Sequence, residues 1–200
     1  MTLTDSVYIS KIEDIKYLKS LMLDATKVYN QTLYFLRQNY FENRKNSTTI
    51  YLSEKELEDW LKQTDSYKNS ILDYNVKQYA RTSATDSVSS FFKSLKRYYV
   101  NKTNYTGTPK LPKYKKRDVC TTLCIDSSRL RKKGCQDNEI RLPKSHFKFK
   151  TRIQLELIKC VRIKYVHEKV KIEIVYEKTN DNSNTLNADS YCGIDLGVGN

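Results

Sequence analysis

The spacing of apolar residues changes period part-way along this chain, and that change limits the folds open to it. Up to residue 98 large apolar side chains recur every three or four positions, most clearly at Val76, Ala80, Ala84, Val88, Phe91, Leu95 and Tyr98. Such spacing lines up one face of a helix. The stripe begins with small side chains, which let a helix approach its neighbours closely, and ends with aromatics. It suits the seam of a helical bundle. After residue 117 the period falls to two. Val161 to Tyr165 and Val170 to Ile174 each alternate apolar with charged residues, as a half-buried antiparallel pair does, and 166–169 is the turn between them. Helix-periodic sequence followed by strand-periodic sequence predicts an α+β fold.

Other segments fill in this outline. Leu3 to Ile9 reads as a short strand. A capping box of Ser10 and Glu13 precedes an apolar stripe at Ile15, Leu18, Met22, Ala25, Val28 and Leu36. The polar stretch Asn43 to Thr49 predicts a loop. Ser53 and Glu56 form a second box ahead of Leu57, Trp60 and Leu61. Val119 to Ile125 and Glu139 to Leu142 are candidate strands, and Phe147 and Phe149 alternate with lysines. Several short antiparallel strands predict a small β-barrel. Asn180 to Asn187 is polar and reads as a linker. No internal repeat is present at a solenoid period.

Where the two regimes meet, the charge is one-signed. Phe91 to Arg117 holds nine Lys or Arg and no Asp or Glu, against a formal net charge of +13 for the whole chain. Gly107, Pro109 and Pro112 break the helical pattern and open an extended stretch. Lys110, Lys113, Lys115, Lys116 and Arg117 crowd around Tyr114. Most charge runs are solvated faces. This one excludes acids and is interrupted by a ring, so it can neutralise phosphates and offer a stacking surface. A polyanionic partner, and nucleic acid in particular, is expected.

The five cysteines, Cys120, Cys124, Cys135, Cys160 and Cys192, are odd in number and irregular in spacing. They predict reduced thiols rather than a disulfide framework. Zinc would require a second close pair, and His146 and His167 are too dispersed to supply one. No apolar run is long enough to span a bilayer and no leader is evident, so the expectation is a cytoplasmic protein without a membrane partner, nucleoid-associated in a prokaryote.

The last residues, Gly193 to Asn200, carry the order apolar–Asp–apolar–Gly around Asp195. Four local patterns together resemble the N-terminal half of TnpB proteins, the OrfB-type transposases of small insertion sequences and relatives of compact type V CRISPR nucleases. Val28-Tyr29-Asn30 resembles the family's Tyr-Asn step. Phe91-Phe92-Lys93 through Lys96 resembles the Phe-Phe-basic end of its long helix. Gly107 to Pro109 and Pro112 to Arg117 resemble its Gly-x-Pro and Pro-x-aromatic-Lys-Lys stretch. Gly193 to Val198 resembles the first RuvC motif. Gly-Ile-Asp-Leu-Gly by itself also suits sugar-kinase-like ATPases, but that reading leaves the basic region unexplained.

The resemblance implies a helical recognition bundle inserted in a small antiparallel, oligonucleotide-binding-like β-barrel, followed by the first strand of an RNase H-like RuvC domain. Residues 1–9 would be the first barrel strand, 10–106 the helical recognition domain, 107–179 the barrel or wedge, 180–190 a linker and 191–200 the start of the nuclease domain. The implied activity is RNA-guided DNA cleavage, with guide RNA and double-stranded DNA bearing a target-adjacent motif as partners. Asp195 would be the first catalytic, magnesium-binding carboxylate. Gln78 would face the target-adjacent duplex, and Tyr74 stands where some relatives carry a basic residue. Lys93, Lys96, Arg97, Lys110, Lys113, Tyr114, Lys115, Lys116 and Arg117 would meet nucleic acid. Two-metal cleavage needs several carboxylates. With only Asp195 in place, residues 1–200 alone are expected to bind without cutting. The alternative is a stand-alone, inactive DNA- or RNA-binding remnant of a transposase.

Overall fold

A computed structural model describes residues 1–46, 54–130 and 139–178. The first strand, β1 (Thr2–Ile9), leads directly into a long helix, α1 (Ile12–Asn46). Two short helices follow, α2 (Glu54–Gln63) and α3 (Asp65–Lys68), and then a second long helix, α4 (Tyr74–Val100). The β-rich remainder comprises β2 (Leu123–Asp126), a single-turn helix α5 (Ser127–Leu130), β3 (Glu139–Arg141), β4 (Lys148–Lys150), β5 (Ile158–Val166) and β6 (Lys169–Glu177). The α+β reading holds.

Four strands form one antiparallel sheet in the order β1-β6-β5-β2. β1 pairs along its whole length with β6, from Thr2 opposite Glu177 to Ile9 opposite Val170. The helices therefore lie between two strands of one sheet, β1 and β2. Among the described residues the expected closed barrel is not present. Among the described strands β1 and β2 are both edges of an open sheet, and β3 pairs with β4 in a separate ribbon. Four strands are too few to close on themselves. Helices seal the apolar face instead, for Leu18, Met22, Leu61 and Ala80 share one core with Val161, Ile163, Ile172 and Ile174. Burying each of the Leu, Met, Val and Ile side chains contributes about 1.5–3 kcal/mol.

α1 and α4 run side by side. Their outer seam is Tyr29 and Leu33 against Ala84 and Val88. The small end of the α4 stripe is its most deeply packed part, with Ala80 and Ala84 at 1% and 0% exposure. The far end emerges into solvent, leaving Phe92, Tyr99 and Val100 exposed. α1 continues through Asn46, four residues into the expected loop, and 47–49 lie outside the described residues. Its start falls at Ile12, and Glu13 pairs with the Lys11 ammonium at 3.0 Å. Asp73 caps α4 by accepting from the amide of Asn75. The same helix ends at Val100, earlier than Gly107, because the Asn101 side chain accepts from the amide of Thr103 and starts a new turn.

The expected hairpin is present with longer strands. Val166 pairs with Lys169, so the turn is only His167-Glu168, and both residues have positive φ (47° and 63°). That is the geometry of a two-residue turn whose twist suits a hairpin. The strand expected at Val119 to Ile125 begins only at Leu123, because Thr121 bonds to α1 instead. Ser53, the 180–190 linker and the 191–200 segment lie outside the described residues.

Candidate nucleic-acid interface

The basic stretch after α4 lies along α1 as a docked strap, held by side chains from one face of that helix. The Thr121 amide donates to the Met22 carbonyl (3.3 Å) and to Thr26 Oγ1 (3.1 Å). Thr26 Oγ1 in turn lies 2.7 Å from the Val119 carbonyl. Asn30 Nδ2 donates to the Lys115 carbonyl (2.8 Å), and its Oδ1 accepts from the Lys115 amide (2.9 Å). Arg37 Nη1 donates to the Pro112 carbonyl at 2.6 Å. Met22, Thr26 and Asn30 are spaced four apart, so they share a helix face. The strap descends that face while α1 ascends it. Extended backbone with prolines cannot satisfy its own polar groups, and these side chains do so in place of a strand partner.

This docking sorts the basic side chains. Lys110, Lys113, Lys116 and Arg117 are exposed, as is Tyr114. Lys115 turns inward. Its Nζ lies 4.0 Å from the centre of the Tyr29 ring and donates to Thr121 Oγ1 at 3.0 Å. Burial pushes its ammonium below the usual lysine range. Lys115 thus belongs to the packing between strap and helix, unlike its neighbours.

Lys93, Lys96 and Arg97 are exposed at the outer end of α4. Lys96 and Arg97 line an open depression of about 620 Å³ with Val100, Asn101, Asn104 and Tyr105. The strap returns past this end, where Thr108 Oγ1 donates to the Tyr98 hydroxyl at 3.2 Å. Gln78 is exposed on α4 but stands apart. Fifteen residues separate it from Lys93, about 22 Å along the helix axis. Near it Glu58 organises the inner end of α4. Its carboxylate accepts from Arg81 (2.8 Å) and the Tyr74 hydroxyl (3.0 Å) and pairs with Lys62 (2.9 Å). Arg81 and Lys62 hold the Glu58 carboxyl well below its usual value, at about 2.

Sequence reasoning missed the anchors Thr26 and Arg37, and it gave Asn30 no role. The available signal was polar residues at helical spacing beside the apolar stripe of α1. It also missed Tyr40, whose ring meets those of Phe91 and Phe92, and Phe41, whose ring meets that of Tyr40.

Asp195 lies outside the described residues, as do Cys135 and Cys192. Among the described residues, no group of three or more His, Cys, Asp or Glu side chains gathers where one metal ion could be held. Burial and the adjacent Cys160 push the Cys124 thiol up to about 12, which leaves it protonated and a poor nucleophile. No described helix is long and apolar enough to cross a membrane. The chain matches no protein-family model and no curated protein.

Proposed function

We propose that this chain is the nucleic-acid-recognition part of a transposon-associated, RNA-guided DNA endonuclease, holding guide RNA and a target-adjacent duplex. The observation that supports the reading is the strap. Its backbone is fixed to α1 through Thr26, Asn30 and Arg37, while Lys110, Lys113, Lys116 and Arg117 face solvent with no acid between Phe91 and Arg117. A fixed backbone with outward cations suits a phosphate chain, because the protein side is already ordered before binding. Helices placed between two strands of an antiparallel sheet match the order of parts that the resemblance implies. In that reading Gln78 contacts the duplex, and Asp195 is the first carboxylate of a magnesium site that would activate water for phosphodiester cleavage.

Binding of RNA and duplex DNA should be measured across a salt series. Replacing Lys113, Lys116 and Arg117 with Ala should lower the slope of log K against log salt by about 2 for single-stranded RNA. RNA co-purifying with the protein should be sequenced, and reads from next to the protein's own coding sequence are the expected result. An unchanged slope, together with RNA of random origin, would overturn the reading.

A further inference from the structure

We propose that the aromatic surface where α1, α4 and the strap meet receives unpaired bases of a single-stranded nucleic acid. The inference rests on the nucleic-acid reading above and adds the form of the ligand. Three rings from three different segments stay open to solvent there: Phe41 (41% exposed), Phe92 (43%) and Tyr114 (45%). They are not scattered. Tyr114 lies 5.2 Å from the Arg37 guanidinium, which lies 5.8 Å from Phe41. Phe41 lies 5.4 Å from Tyr40, which lies 5.7 Å from Phe92. The result is one continuous run of flat groups. Arg37 is held in place by its bond to the Pro112 carbonyl, so its planar face is oriented in advance.

Charge selects the occupant. Lys93 adjoins Phe92, Lys113 adjoins Tyr114, and both are exposed. An apolar protein helix would gain nothing from such cations, whereas a nucleotide strand carries both a ring face and a phosphate at every step. Stacking on aromatic side chains and Arg contributes about 1–3 kcal/mol per base. It requires an open base face, which a duplex withholds. The surface therefore suits single strands, while the strap's cations serve phosphates of either form.

The test uses the full chain with a short single strand carrying 2-aminopurine, as RNA and as DNA, and with the matching blunt duplexes. Phe41→Ala, Phe92→Ala and Tyr114→Ala should each weaken single-strand binding roughly 5- to 160-fold and reduce the quenching of 2-aminopurine. Duplex affinity and the salt slope should hold, and Phe92→Tyr should restore binding. A loss confined to the RNA strand names RNA as the ligand; a loss on both strands names unpaired bases of either kind. Unchanged single-strand affinity, with the salt slope still sensitive to Lys113 and Lys116, would overturn this proposal and leave the broader reading standing. Concentration-dependent self-association abolished by the same ring variants would assign the surface to a second copy and overturn it. Failure to bind any probe would overturn the broader reading as well.

Discussion

Asn30 closes a two-bond ring with the backbone of Lys115, donating to its carbonyl at 2.8 Å and accepting from its amide at 2.9 Å. The amide side chain thereby imitates a neighbouring β-strand for one residue of the strap. Few side chains can do this. Asp lacks the donor, and its second oxygen would face the Lys115 carbonyl.

Asn30→Ala should therefore loosen the strap without unfolding the domain. Two partly buried hydrogen bonds contribute about 2 kcal/mol together. Amide exchange over 113–117 should rise about 30-fold, the equivalent of that figure, while β5 and β6 keep their protection. Asn30→Asp should be at least as disruptive. Equal exchange in wild type and Asn30→Ala would mean that Thr26 and Arg37 hold the strap unaided.

Glu58 contributes to the acid sensitivity of the helical unit. Its folded value of about 2 lies below the ordinary 4.5, so the carboxylate stabilises the fold above pH 4.5. That contribution is lost as pH falls from 4.5 through about 2, because the folded state must then take up a proton that the unfolded state already holds. Glu58→Gln should flatten the stability profile across this window. Arg81→Ala removes one charge-assisted bond and leaves Glu58, 19% exposed, to Lys62 and the Tyr74 hydroxyl, and should cost about 2 kcal/mol at neutral pH. Fluorescence of Trp60, which packs 4.5 Å from the Phe35 ring, reports the loss of this region.

The hairpin turn is under local strain. His167 and Glu168 both occupy positive φ, where a Cβ crowds the backbone. Replacing the pair with Asn-Gly keeps the turn and relieves the crowding, for a gain of about 1 kcal/mol in urea unfolding. A loss of stability instead would show that His167 or Glu168 makes a contact worth more than the strain.

Elements whose pattern is local could be read from sequence, and features made by distant residues could not. The α4 stripe from Val76 to Phe91 and the alternation of Val161 to Ile174 each state their buried face within a single short stretch of sequence. The Asn30–Lys115 ring joins positions 85 apart and leaves no periodic trace. Sheet closure is not legible for a related reason: alternation marks a strand as half-buried but does not say whether a strand or a helix covers it. Here Leu18 and Met22 of α1 do so. Within the candidate site, the one-signed run pointed to the strap, yet nothing in Lys113-Tyr-Lys115-Lys-Arg117 distinguishes the inward lysine from the outward ones. That distinction arises only when the strap is laid on Tyr29.

Lys115 tests whether the strap's charge works by position or by total. Its Nζ is held 4.0 Å from the Tyr29 ring and 3.0 Å from Thr121 Oγ1, away from any phosphate following the outer face. Lys115→Met keeps an unbranched stem of similar length and removes the charge. The lost cation–ring contact contributes about 1 kcal/mol, and relief from burying an ammonium offsets it, so neutral-pH stability should change by less than about 1 kcal/mol. Because burial lowers the Lys115 value below 10.5, the wild-type chain should gain on the Met variant as pH rises toward 10.5 and the ammonium sheds its proton. The salt dependence of RNA binding should be unchanged in Lys115→Met, whereas Lys113→Met should lower the slope by about 0.7. Equal slopes lost at both positions would mean that the strap turns Lys115 outward on binding, and that its docked form is a resting state rather than the recognition surface.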